Sequence, residues 1–328
     1  MVVPLPSFLV HRSAGRTEVM NLLVTGSSGL IGSAVVDAAV DRGDTVTRLV
    51  RRTSRQRSAP SGVTDVTWDP AADRIDRVAL SSSGPFDGVV HLAGAGVGDK
   101  RWTDARKREI TDSRIAGTDL IARTIAALDP MPGVLVSASA VGYYGDRGDE
   151  TLTEESSAGS GFLAGVCVAW EAATIPAVEA GIRTVRLRTG IVLSSSGGAL
   201  AKQLPLFRLG VGGKIGSGRQ YRSWITLDDE VAAIFHCIGD ATLAGPVNAT
   251  APCPATDAHL AKAIGSALHR PSFLAVPAPA LKVVLGSEMA SDMVLASQRA
   301  QPDRLLRSGF TFRHTDLDDA VRSVLASH

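Results

Sequence analysis

The first strongly patterned stretch is an apolar run, Met20-Asn21-Leu22-Leu23-Val24. It passes directly into Thr25-Gly26-Ser27-Ser28-Gly29-Leu30-Ile31-Gly32 and then into a helix-compatible segment from Ser33 to Asp41. The order is strand, glycine turn, helix. A second strand, Thr45 to Val50, arrives after the Arg42-Gly43-Asp44 turn and completes a βαβ unit. Val63 to Trp68 reads as a third strand closed by Asp69-Pro70, and a helical stretch lies around Ile75 to Leu80. Gly88 to Gly94 then reads as a buried parallel strand entering another glycine turn.

Further along, Ile110, Ile115, Leu120, Ile121 and Ile125 follow the helical period, which predicts one long helix over Thr103 to Leu128, stopped by Pro130 and Pro132. Val134 to Ser139 predicts a fifth strand, Phe162 to Ala180 a second long helix, and Thr184 to Val192 a sixth strand. Strands and helices alternating at these spacings define an α/β chain with a Rossmann-type doubly wound parallel sheet, whose ligands bind at the carboxyl ends of the strands. From Ser194 the pattern changes to glycine-rich and proline-rich loops with shorter elements. The expected organisation is therefore a nucleotide-binding domain over 20–193 and a smaller substrate lobe over 194–328, with a strand near 246–250 returning to the sheet. Residues 1–19 are expected to be a disordered extension, with Met20 a candidate start.

Composition narrows the partners. The 328 residues are 45% hydrophobic and 20% charged with a net charge of +1, which gives no general attraction to nucleic acid or to an anionic membrane. A small molecule is the expected partner. The apolar piece from Val2 to Val10 is too short to span a bilayer. Cys167, Cys237 and Cys253 are widely separated and the seven histidines are scattered, so free thiols, a cytoplasmic location and no metal site are expected.

The glycine turn carries the clearest chemistry. Gly26 permits the tight turn, Gly29 lets main-chain amides approach a pyrophosphate, and Gly32 lets the helix pack closely on the strand. Thr25, Ser28, Leu30 and Ile31 complete the cradle at the positive end of the helix. The second strand ends in Arg51-Arg52, with Arg55 and Arg57 close behind, where a ribose-binding acid stands when the cofactor lacks a 2'-phosphate. Arginine's planar fork of donors suits phosphate, so NADP(H) is expected in preference to NAD(H). The competing reading is a solvated basic loop.

These motifs resemble the extended short-chain dehydrogenase/reductase superfamily. Thr25 to Gly32 matches its TGxxGxxG turn, Asp65 to Asp69 its adenine-flanking segment, and His91-Leu92-Ala93-Gly94 its HxAG strand. Closer still, the chain is similar to the YfcH-like atypical branch of epimerase family proteins. That similarity rests on Gly98 to Thr103, Asp112 to Thr118, Ser137 to Asp149, Gly161 to Ala164 with Trp170-Glu171, Gly218 to Asp229, and a segment from Val276 to Ala280.

The resemblance implies that Asp69, Leu92, Ala93, Gly94 and Arg188 border the cofactor. It also implies a Tyr and a Lys four residues later as the proton-transfer pair. Anchored at Glu171, those positions hold Leu163 and Cys167; shifted by one they hold Phe162 and Val166. Neither register supplies the pair. Ser139 and Tyr144 are the candidate catalytic replacements, although Tyr144 falls where the superfamily usually has a substrate-wall tyrosine. Lys100, Tyr143 and Arg222 are candidate substrate contacts, Arg222 for an anionic group. Lys202, Arg208, Lys214 and Arg219 add positive charge to the same lobe, which suits a nucleotide sugar or another acidic metabolite. Arg188 has two readings, one beside the nicotinamide and one paired with an acid beneath the loop. The readings left open are a reductase using other donors, a cofactor-dependent sensor of the kind some relatives' cell-division labels imply, and a structural relic of an enzyme.

Overall fold

The computed structural model describes residues 19–51 and 61–326. In chain order the first half contains β1 (Asn21–Thr25), α1 (Leu30–Asp41), β2 (Thr45–Val50), β3 (Val63–Asp69), β4 (Arg74–Ile75), α2 (Arg77–Ser83), β5 (Gly88–His91), α3 (Asp104–Ala126), β6 (Val134–Ala140), β7 (Thr151–Leu152), α4 (Phe162–Ala172), α5 (Ile175–Glu179), β8 (Arg183–Thr189) and β9 (Ile191–Leu193). The second half contains α6 (Gly198–Arg208), β10 (Gly213–Ile215), β11 (Tyr221–Arg222), β12 (Trp224–Thr226), α7 (Leu227–Gly239), β13 (Gly245–Ala249), β14 (Ala255–Thr256), α8 (Asp257–Ala267), β15 (Leu274–Val276), α9 (Ala278–Leu285), α10 (Ser287–Met289), β16 (Arg299–Ala300), α11 (Asp303–Arg307) and α12 (Leu317–Ala326).

Eight strands form the central sheet in the order β13-β8-β6-β5-β1-β2-β3-β4. All neighbours are parallel except β3 and β4. Apolar residues line both faces, which is why the strands read as continuous hydrophobic runs rather than as alternating patterns. Leu22, Val24, Val90, Val134 and Val136 point to one face, where they meet Val35, Val36 and Ala39 of α1 and Ala233, Ile234 and Cys237 of α7. Leu23, Val89 and Leu135 point to the other, against Leu120, Ile121 and Ile125 of α3 and Ala177 of α5.

Two expected elements are each divided. The helix expected over Phe162 to Ala180 becomes α4 and α5, because Thr174 turns its hydroxyl onto Glu171 O at 2.6 Å and Pro176, in the first turn of the next helix, has no amide to donate. The strand expected over Thr184 to Val192 ends at Thr189. Gly190 N–H bonds Ala249 O, whereas Ile191 N–H bonds Ser223 O, so the chain leaves the main sheet there and pairs β9 with β12.

The returning strand is found as β13, parallel to β8. The return is more extensive than expected within 194–328, because α7 also packs on the sheet, its apolar stripe joining the face that holds α1. The remaining lobe has its own core of Leu200, Leu204, Phe207, Trp224, Leu260, Ile264, Leu317 and Val321. The expected extension, 1–19, lies outside the described residues except for Val19.

Candidate functional site

The site begins where β1 and β5 end side by side, at the point where strand order reverses. Gly26 has φ +69°, and a Cβ there would lie 2.6 Å from Leu92 C. A Cβ on Gly32 would lie 2.2 Å from Gly26 O, so the first turn of α1 presses directly on the turn that precedes it. The helical ladder opens with Ser33 N–H to Gly29 O, which leaves the amides of Leu30, Ile31 and Gly32 outside it. Gly29 offers no capping side chain, and no acid lies in the first turn. An uncapped positive helix end beside a side-chain-free turn fits a pyrophosphate.

Thr25 ties the two strand ends together. Its Oγ1 accepts from the amides of Leu92 and Ala93 at 3.2 and 3.3 Å and donates to His91 Nδ1 at 2.8 Å. His91 then carries its proton on Nε2 and donates to Thr118 Oγ1 at 2.9 Å, which also accepts from Trp170 Nε1. Complete burial holds the His91 pKa down to about 3, so the ring is neutral. It is a fixed strut, not an acid or base.

At the adenine end Arg51 is exposed, while Arg52, Arg55 and Arg57 lie outside the described residues. Asp69 caps the short turn after β3 by accepting from Ala72 N–H at 3.3 Å, and Asp65 is held by a two-bond pair with Arg48 across β2 and β3.

The catalytic candidates have a different setting from the one expected. Ser139 Oγ donates its one proton to Glu171 Oε1 at 2.7 Å, so it has none left for a carbonyl in the cleft. Glu171 in turn binds Arg188 through both oxygens, at 2.8 and 2.9 Å, with both side chains buried. Arg188 Nη1 donates to Tyr144 OH at 3.1 Å, and its guanidinium stacks 3.4 Å from the centre of the Tyr143 ring.

Tyr144 is fully buried, and its hydroxyl faces Asn248 Oδ1 at 2.7 Å and Thr153 O at 2.9 Å. Burial pushes its pKa up to about 12. The structure therefore corrects two expectations. Tyr144 is a core residue rather than a proton donor in the cleft, and Arg188 pairs with an acid, Glu171, as in the second of its two readings.

Arg222 requires a similar correction. Its Nε bonds Asp257 Oδ1 at 3.1 Å, its other nitrogens face the carbonyls of Ala296 and Val294, and it is buried. Those donors hold the lobe together instead of facing an anion. Lys100 is exposed on the loop after β5, and Tyr143 is half-buried beside the Ser139 strand end. Lys202 of α6 reaches the same loop, bonding Gly98 O and Asp99 Oδ1 at 3.1 Å each.

Where the superfamily pair would stand, Leu163 and Cys167 pack on the turn after β6. A methyl on Gly142 would sit 3.7 Å from Leu163 Cβ and 3.8 Å from Cys167 Sγ. Burial raises the Cys167 thiol pKa to about 12, so it is not a thiolate.

Sequence reasoning gave no role to Glu154, Asn248, Glu230 or Arg114. Glu154 Oε1 accepts from the amides of Asn248 and Arg304, while its Oε2 is buried without a partner. The Asp112 to Thr118 motif contained the signal for Arg114, since it was legible as a motif while the task of each residue was not.

A Rossmann crevice with a glycine cradle and a lobe over the strand ends defines a dinucleotide-binding protein of the short-chain dehydrogenase/reductase type. The chain belongs to the NAD dependent epimerase/dehydratase family, whose model matches residues 22–248; residues 276–324 match a domain of unknown function, DUF1731. It is 44% identical to the epimerase family protein Mb2239 of Mycobacterium bovis over 298 residues, covering 91% of this chain and 95% of that protein. The human epimerase family protein SDR39U1 is 32% identical, with 94% and 100% covered. A crystal structure of human SDR39U1 (isoform 2) with NADPH superposes with a TM-score of 0.82 at 30% identity, covering 94% of this chain and 99% of that one. A nucleoside-diphosphate sugar epimerase from Corynebacterium glutamicum superposes with a TM-score of 0.75 at 36% identity, covering 94% and 58%.

Proposed function

We propose that the protein is an NADP(H)-dependent oxidoreductase that acts on a small metabolite without a Tyr/Lys pair. The observation that carries the reading is the uncapped start of α1 against Gly26 and Gly32, a surface with room for phosphate and no side chain to fill it. The NADPH named with the human relative supports the choice of cofactor, as does Arg51 at the end of β2. When bound, the cofactor supplies or accepts hydride.

The chain's own residues bind and orient. The amides of Leu30 to Gly32 hold the pyrophosphate, Arg51 meets the 2'-phosphate, and Thr25 fixes Leu92 and Ala93 beneath the dinucleotide. Substrate enters between the strand ends and the lobe, where Lys100 faces its anionic group. With Leu163 and Cys167 in place of a proton-transfer pair, the proton that accompanies hydride onto a carbonyl, or leaves as hydride is removed from an alcohol, is exchanged with solvent.

Fluorescence titration tests the cofactor assignment. NADPH is expected to bind at least about tenfold more tightly than NADH, the size of one lost charge-assisted contact, with Arg51→Ala narrowing the gap. Equal affinities in the native protein would sink the preference. A panel of carbonyl and enone compounds then tests turnover by NADPH oxidation.

The packed Leu163 and Cys167 favour a second reading, a sensor that has kept its cofactor and lost its chemistry. It predicts no oxidation with any panel member, together with a protein partner whose affinity changes with NADPH. A cytoplasmic setting fits either reading, with Cys167 and Cys237 buried as free thiols and Cys253 exposed as a third.

A further inference from the structure

The lobe reaches over the reacting end of the crevice. Adenosine belongs on the β2 and β3 side of the β1 turn, so the end at which hydride moves lies over β5 and β6. A π-helical turn, Ala290–Leu295, comes down there directly after α10. Its Asp292 Oδ2 accepts from Phe162 N–H, the first amide of α4, at 2.7 Å. Gly161, with φ +103°, is what admits that carboxylate, since a Cβ there would lie 2.7 Å from the same oxygen. Met293 lies against the loop after β5, where a Cβ on Gly98 would be 3.4 Å from its Cε. Lys107 of α3 bonds Glu288 of α10 at 2.9 Å.

The surfaces brought together in this way are apolar. Val97, Trp102, Phe162, Leu163 and Met293 are all half-buried, so each keeps part of its surface open. Trp102 and Phe162 meet edge to face at 4.9 Å, and the indole N–H is already spent on Val97 O at 2.9 Å. The nearby cations are occupied as well. Lys202 is paired with Asp99 and Lys107 with Glu288. The terminal nitrogens of Arg222 meet the carbonyls of Val294 and Ala296, so the chain itself stands where a phosphate would have to be. Asp292 adds a negative charge to the same wall, which repels a diphosphate.

We infer that the substrate is a small ketone or aldehyde with an apolar body, best an aromatic one, and that nucleotide sugars are excluded by Asp292 and by the stretch from Val294 to Ala296. This rests on the oxidoreductase reading above and deepens it by naming the substrate class. In reduction the carbonyl carbon gains hydride as NADPH becomes NADP+, and its oxygen gains a proton from solvent. The body of the substrate lies against Phe162, Leu163 and Met293, whose ring, methyl groups and thioether suit an aromatic face. The anionic group assigned above to Lys100 stays at the outer end.

Acetophenone and its para-carboxylate are the probes, with UDP and UDP-glucose as competitors. In the presence of NADP+, calorimetric titration of the wild-type protein is expected to show both aryl ketones binding, with neither displaced by an excess of UDP or UDP-glucose. A uridine compound that displaces an aryl ketone overturns the inference, and so does failure of both ketones to bind to protein that holds NADP+. Met293→Ala is expected to weaken both ketones about tenfold, the scale of one lost apolar side-chain contact, with NADPH affinity within about twofold of wild type. Ketone affinity unchanged in both Met293→Ala and Leu163→Ala overturns it too, because the ketones then bind elsewhere. Should these variants not fold, the competition with wild-type protein decides. Ketones that bind without NADPH oxidation refute the oxidoreductase reading and leave the ligand class standing, whereas protein that binds no NADP+ refutes the cofactor reading itself.

Discussion

Glu230 enters α7 with its carboxyl wholly buried, one oxygen accepting from Thr189 Oγ1 at 2.7 Å and the other with no partner. Burial lifts its pKa from the ordinary 4.5 to about 8. The folded state thus holds this proton more tightly than the unfolded state. Stability contributed by Glu230 is complete at low pH and declines as pH rises from about 4.5 to about 8, at about 1.4 kcal/mol per unit.

His91 has the opposite sign. Its pKa falls from 6.5 to about 3, so the unfolded state takes the proton first and stability is lost as pH drops below 6.5. Between pH 4.5 and 6.5 the two slopes cancel, and from these two groups alone stability peaks there. Urea unfolding at pH 5.5 and pH 8 is expected to show a native protein weaker at pH 8 and a Glu230→Gln variant in which the difference is reversed, since only the His91 contribution then remains and it favours the higher pH. A variant that keeps the full difference would assign the alkaline decline to other groups.

At the scale of elements, the Ser139, Glu171, Arg188 and Tyr144 chain joins β6, α4, β8 and the turn after β6, and Asn248 extends it to β13. Removing one member of the buried Glu171 and Arg188 pair leaves the other charge stranded. Glu171→Leu or Arg188→Met alone is expected to cost about 3–5 kcal/mol, and the double variant less than either single one. Chemical denaturation of all four proteins measures this, and simple additivity would show that the pair does not act as a unit.

This chain also shows where sequence reading stopped. The glycine turn was legible because it is local: Gly26 and Gly32 answer to backbone atoms a few residues away or on the adjoining strand end. The sheet was legible because two buried faces leave long apolar runs. Ser139, Tyr144, Arg188 and Arg222 were legible as polar residues near a crevice, but their partners were not. Tyr144 meets Asn248 across 104 positions and Ser139 meets Glu171 across 32, and no spacing encodes such contacts. The breaks at Thr174 and Gly190 were hidden for a related reason, since apolar character continues through both while the hydrogen-bond partners change.

For the molecule as a whole, Arg222 and Asp257 decide whether the lobe is a recognition surface or a tightly fastened wall. Asp257 Oδ2 also accepts from Ile215 N–H at 2.6 Å, so one carboxylate gathers β10, β11 and the start of α8. Arg222→Met is expected to lower the melting temperature by several degrees, following about 3 kcal/mol of lost stability, with NADPH affinity within about twofold of wild type. An unchanged melting temperature with a raised KM would return Arg222 to the substrate.

The lobe's outer segments are strung between β8 and β13, two neighbouring strands of one sheet, and this order has a consequence for how the protein is made. During synthesis β8 is complete at Thr189, yet the edge that covers it is not translated until Gly245 to Ala249. Until then a row of open strand amides and carbonyls faces the ribosome's surroundings, and the nascent cofactor domain has nothing of its own to close it.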